Sequence, residues 1–163
     1  MPDPGFDPFE LLAALRRHDV DFVVVGVIAA IAQGYPMTTR DLDVTPSREH
    51  ENVERLAEAL QELKAKLRTP SEPVDFAIEA TYLESVDSWT LLTTLGELDI
   101  LFRPAGTQGY DDLRRDALEA NLGVPVLVAS LRDVIRMKEA TGREKDIAQL
   151  PALRRTLEAQ KTS

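Results

Sequence analysis

Residues 22–44, FVVVGVIAAIAQGYPMTTRDLDV, decide how the rest of the chain is read. The run from Asp21 to Val25 is β-branched and nearly continuous, which predicts a buried central strand ended by Gly26. Val27 to Gln33 then predicts a short apolar helix, with Gly34 in the position that commonly closes one. A loop carrying Tyr35, Pro36, Thr38, Thr39 and Arg40 leads to a second short strand, Asp41–Leu42–Asp43–Val44, which Pro46 stops. A strand has a period of two, so Asp41 and Asp43 point to one face while Leu42 and Val44 pack on the other.

Outward from this unit the pattern stays regular. Asp7, Pro8 and Glu10 are the start signals of a helix over 8–18. Ser47 opens a helix over about 48–67, where Val53, Leu56, Leu60, Leu63 and Leu67 recur at helical spacing. Residues 69–73, with two prolines, form a connector, and 74–79 alternate as a strand would. Residues 89–95 and 98–102 flank Gly96 and predict an antiparallel hairpin. A helix over 110–120 and a strand over 124–128 follow. Ser130 and Asp133 cap a helix that ends near Gly142; residues 143–150 form a further helical segment, and Pro151 opens a last helix that frays at its end. The expectation is a single α+β domain over 1–163, with a core of about 20–150 and a mixed central sheet packed with helices.

Composition limits the functions open to such a chain. It has 163 residues and no cysteine, which excludes disulfide scaffolds, thiolate metal sites and cysteine nucleophiles. Nineteen basic against 28 acidic residues give a net charge of -9, which argues against bulk nonspecific nucleic-acid binding. No long apolar stretch suits a membrane span, and MPDPGFDPFE does not resemble a signal peptide, so a cytoplasmic protein is expected. His18 and His50 stand in no recognisable triad with serine and acid, and Trp89 and Tyr110 read as packing residues.

The chemistry-bearing candidates are carboxylates. Asp99 stands alone between Leu98 and Ile100 in an apolar strand, where an unpaired carboxylate is costly. If its strand neighbours that of Asp41 and Asp43, three acids converge, repel one another and call for a divalent cation. Oxygen ligands suit Mg²⁺ or Mn²⁺. The alternative is that the D-x-D pair marks a turn or a wet strand edge. Gly26 allows a phosphate to approach the backbone, or is simply a turn residue. Thr39 and Arg40 could touch a triphosphate or only decorate the loop, and Arg40 could instead neutralise Asp41 or Asp43. Lys138 and Arg143 could neutralise phosphates with Asp146 orienting one of them, or form an ordinary solvated helix end.

These residues carry a resemblance. The opening with Gly26, Asp41 and Asp43, followed by TLLTTLGELDILF (90–102) with Asp99, is similar to the nucleotidyltransferase superfamily related to DNA polymerase beta. IRMKEATGREKDIAQL (135–150), with Lys138, Arg143, Lys145 and Asp146, resembles the small bacterial branch of abortive-infection-type nucleotidyltransferase toxins. The resemblance implies transfer of a nucleoside monophosphate from an NTP to a hydroxyl or phosphate acceptor, with pyrophosphate released. Asp41, Asp43 and Asp99 would be the catalytic and metal-binding residues, with Gly26, Thr39, Arg40, Lys138, Arg143 and Asp146 on the nucleotide. The acceptor could be a protein, an RNA end or a small molecule. The sequence departs from the family motif at Val27, where a second small residue usually follows the glycine. That departure keeps open a weak or inactive relative acting through a cognate protein partner, in a toxin–antitoxin pair for example. A plain RNA-binding domain fits poorly, because aromatic and basic residues do not interleave.

Overall fold

A computed structural model describes residues 5–162; the first four residues of the segment read as lacking a signal peptide, and the last residue of the fraying end, lie outside it. The chain begins with α1 (Pro8–Arg17), where Asp7 Oδ1 accepts from Glu10 N at 3.1 Å as its start signals predict. Then follow β1 (Phe22–Val25), α2 (Gly26–Ile31), β2 (Asp41–Pro46) and α3 (His50–Glu62). After them come β3 (Lys66–Leu67), α4 (Ala80–Leu83), β4 (Ser88–Thr93), β5 (Gly96–Leu101), α5 (Tyr110–Arg114), β6 (Leu118–Asn121) and β7 (Pro125–Val128). Finally α6 (Leu131–Thr141) and α7 (Glu144–Lys161) close the chain.

The seven strands form one mixed sheet in the order β3-β4-β5-β2-β1-β7-β6. β1 is antiparallel to β2 and parallel to β7, while β2 is parallel to β5. The four residues of β1 are all buried, as a continuous apolar run in a central strand should be. α3 buries Val53, Leu56 and Leu60 along one face, and a Leu56→Ala cavity there would cost about 3 kcal/mol. α6 packs against both α2 and α7, so the end of the chain returns to its opening unit. The architecture is the expected α+β domain with a mixed central sheet.

Four local expectations are corrected. The helix expected to reach residue 67 ends at Glu62, because Lys64 turns left-handed (φ 53°) and releases Lys66–Leu67 to pair with β4. Leu67 kept helical spacing with Leu63 only by coincidence. Residues 74–79 form no named strand: Val74 makes one bridge to Leu67, and Phe76 instead stacks on Trp89 with ring centroids 5.3 Å apart. The helix expected over 110–120 stops at Arg114, because Gly123 (φ 85°) turns the chain so that Leu118–Asn121 pairs with β7. The two C-terminal segments are one helix through Pro151. Its lost N–H is offset by burial of Leu150 and Leu153.

Candidate functional site

The pairing of β2 with β5 brings distant acids together. Asp43 lies directly opposite Asp99 in the parallel register, and Asp99 lies opposite Thr90 on β4. Register partners share a face, so the sheet presents Thr90, Asp99 and Asp43 in one transverse row, with Asp41 two residues before Asp43 on the same face. Asp41, Asp43 and Asp99 each offer a carboxylate oxygen, all within 4.8 Å of one another.

Each carboxylate has a different environment. Asp41 Oδ1 accepts from Thr39 Oγ1 at 2.9 Å. Among the described residues Asp43 Oδ1 and Asp99 Oδ1 are both buried with no hydrogen-bond partner. Burial and the neighbouring charges of Asp41 and Asp99 push the Asp43 carboxyl well above the usual carboxylate range. Asp99 is raised too, chiefly by burial, with the Arg68 guanidinium pulling it part of the way back. Arg68 NH2 stands 3.2 Å from Asp99 Oδ1. The cluster is therefore short of positive charge at Asp43.

Gly26 completes this arrangement. It adopts φ 68°, and a Cβ built on it would overlap Asp43 Oδ2. Its roles as a turn residue and as an open approach thus coincide at one place. An orphaned carboxylate oxygen, an all-oxygen donor set and a neighbouring residue with no side chain fit a hard divalent ion such as Mg²⁺ or Mn²⁺.

Cationic side chains face the triad from the C-terminal helices. Asp146 is buried at the start of α7, and its Oδ1 lies 3.3 Å from Lys138 Nζ. Its Oδ2 accepts from Arg143 Nε at 2.8 Å and from Arg143 N at 3.3 Å. Burial raises the Asp146 carboxyl, but hydrogen bonds and charge from Arg143 and Lys138 outweigh it and hold it below the usual range. Lys138 and Arg143 line a cleft of about 530 Å³ together with all three acids. They also line a second, more apolar cleft of about 360 Å³ with Val25, Leu101, Val134 and Met137, which Asp43 and Gly26 join.

Of the sequence candidates, Gly26, Thr39, Asp41, Asp43, Asp99, Lys138, Arg143 and Asp146 come together at this place. Arg40 does not: it is exposed and, among the described residues, forms no ion pair with Asp41 or Asp43. Tyr35 is buried, as a loop anchor should be. His18 meets Glu62 (3.0 Å) and His50 meets Glu84 (2.7 Å) on the surface, away from the acids. Arg68 had no signal in the sequence, because the strand it follows, Lys66–Leu67, was read as the end of a helix.

Neither a protein-family model nor a curated protein sequence matches the chain. Solved structures do. A Thermotoga maritima protein provisionally assigned as a nucleotidyltransferase is similar at 20% identity and TM-score 0.51, over 96% of this chain and 97% of that one. The antibiotic-resistance factor ANT(2'')-Ia is similar in its solution structure at 16% identity and TM-score 0.55, over 94% of this chain and 86% of that one. Its crystal structure in complex with adenylyl-2''-tobramycin is similar at 18% identity and TM-score 0.57, over 93% and 87%. At these identities the likeness shows that the chain shares the fold of these structures.

Proposed function

We propose that this protein is a metal-dependent nucleotidyltransferase that moves a nucleoside monophosphate from an NTP to an acceptor, releasing pyrophosphate. The observation that carries the reading is the convergence of Asp41, Asp43 and Asp99 with an unpartnered buried oxygen on Asp43. Three acids at this spacing repel one another, and nothing in a purely structural role repays that cost.

Asp41, Asp43 and Asp99 would hold Mg²⁺ or Mn²⁺. When bound, the ion would supply charge stabilisation at the transferring phosphoryl group and lower the pKa of an attacking hydroxyl. Lys138 and Arg143 would face the β- and γ-phosphates, held in place by Asp146. Gly26 keeps the space around Asp43 clear of a side chain. Thr39 orients Asp41 by its hydroxyl. The apolar cleft beside Val134 and Met137 suits the nucleoside, and Asp99 stands at the far end of the triad, where it would take the acceptor hydroxyl. The acceptor is a protein, an RNA end or a small molecule. A cytoplasmic site of action, where NTP and Mg²⁺ are supplied, fits this chemistry.

The test is NTP-dependent pyrophosphate release in Mg²⁺, with Asp43→Ala as control. Release by the wild type and its loss in the variant are expected. Absence of NTP binding with Mg²⁺ present would overturn the reading.

A second reading rests on Val27. Its half-buried side chain lines the triad cleft where the family motif usually has a small residue. Crowding there favours a catalytically weak relative that acts through a protein partner, as in a toxin–antitoxin pair. A copurifying partner and an unaltered phenotype of Asp41→Ala would favour it; loss of phenotype would reject it.

A further inference from the structure

Arg68 is fixed beside the triad. Its backbone N–H donates to Thr90 O at 3.0 Å, which extends the β3–β4 pairing by one residue. Its NH1 donates to Leu91 O at 3.1 Å and lies 3.8 Å from Glu97 Oε2. The guanidinium is thus held at two points besides Asp99, on a backbone itself fixed to β4, and a tethered charge cannot swing away without cost. It stands at the end of the transverse row Thr90–Asp99–Asp43.

The three acids are consequently graded. Among the described residues Asp43 has no cation within ion-pair distance, Asp41 accepts only from a neutral hydroxyl, and Asp99, whose Oδ1 also lacks a hydrogen bond, has the Arg68 guanidinium 3.2 Å away. A carboxylate already paired with a cation is a poorer ligand for a second cation, and two positive charges within a few ångströms of one carboxylate repel. Lys138 and Arg143 do not play this part, because both are held to the buried Asp146 and, among the described residues, neither forms an ion pair with Asp41, Asp43 or Asp99.

We propose that Arg68 is a resident competitor of the divalent ion at Asp99, which keeps metal affinity low until the ion arrives with the nucleotide's phosphates. This rests on the transferase reading above. The polyphosphate supplies the negative charge that Arg68 takes from the triad, so ion and nucleotide load together. The competition also leaves Asp99 the most loosely held of the three ligands, and so the one free to meet an incoming hydroxyl.

The experiment is calorimetric titration of Mn²⁺ alone into the full chain, wild type against Arg68→Gln and Arg68→Lys. Arg68→Gln should bind Mn²⁺ about tenfold more tightly, since removing one nearby charge is worth at least a decade in Kd. Arg68→Lys keeps the charge and should stay close to wild type. Should Arg68→Gln not fold, Arg68→Met is neutral, keeps the aliphatic stem and should show the same tightening. Equal or weaker Mn²⁺ binding by the neutral variant, with wild-type binding measurable, would overturn the proposal and leave the transferase reading intact; a residue that only braced the strand would behave that way. No Mn²⁺ binding by any of them would also overturn the proposal, whereas the transferase reading falls only if NTP fails to bind with Mg²⁺ present.

Discussion

The side chain that Gly26 lacks would stand where Asp43 Oδ2 stands. The glycine ends β1 and the aspartate sits in β2, yet the two are one device: the turn at φ 68° and the open space beside the carboxylate come from the same missing Cβ.

Gly26→Ala should therefore fail twice. The left-handed conformation and the overlap together should cost about 2 kcal/mol or more, read by urea unfolding. Pyrophosphate release should fall by about a hundredfold even at temperatures where the variant is folded, because the displaced carboxylate is misaligned. Retained activity would mean that Asp43 need not stay where it is.

The raised carboxyl of Asp43 has a definite sign in stability. Its contribution is full below the ordinary carboxylate pKa and is lost as pH rises through its own elevated value. In chelator, Asp43→Asn should therefore gain in Tm relative to wild type as pH rises toward neutrality. Adding Mg²⁺ should raise the wild-type Tm and leave the variant's unchanged. A difference between the two proteins that ignores pH would contradict the burial and crowding of this group.

Asp146 behaves oppositely. Its carboxyl is held low, so its contribution is present above the ordinary carboxylate pKa and lost as pH falls through the lowered value. Asp146→Asn leaves Lys138 without its charged partner at a nearly buried site, and should cost about 3 kcal/mol in thermal or denaturant unfolding. Milder Lys138→Met should fold normally and raise KM for the nucleotide.

How far these relations could be read from the sequence depends on how local they are. Asp41 and Asp43 lie on one strand, and strand periodicity alone places them on one face. Asp99 needed the β2–β5 pairing, which no local pattern dictates; the cost of a lone acid between Leu98 and Ile100 was the clue. The capping of α6 by Ser130 was legible for the same local reason. Arg68 was not, because Leu67 continued a helical spacing that Lys64 interrupts with a left-handed turn. The strand over 118–121 escaped in the same way: its pairing partner, β7, lies further along the chain.

Thr39 and Arg40 adjoin in sequence and separate in effect. Thr39→Val removes the hydroxyl on Asp41 and should lower kcat about tenfold, near 1.5 kcal/mol, with the fold intact. Arg40→Ala removes an exposed side chain and should leave stability within about 0.5 kcal/mol. Pyrophosphate release by Thr39→Val and urea unfolding of Arg40→Ala check the two, and a larger loss of release in Arg40→Ala than in Thr39→Val would reassign the loop.

The most direct measurement is anomalous diffraction from a crystal grown with Mn²⁺ and a nonhydrolysable NTP. The account predicts a manganese peak touching oxygens of Asp41, Asp43 and Asp99, with the polyphosphate toward Lys138 and Arg143. A peak elsewhere, or nucleotide bound with no manganese at these three acids, would contradict it.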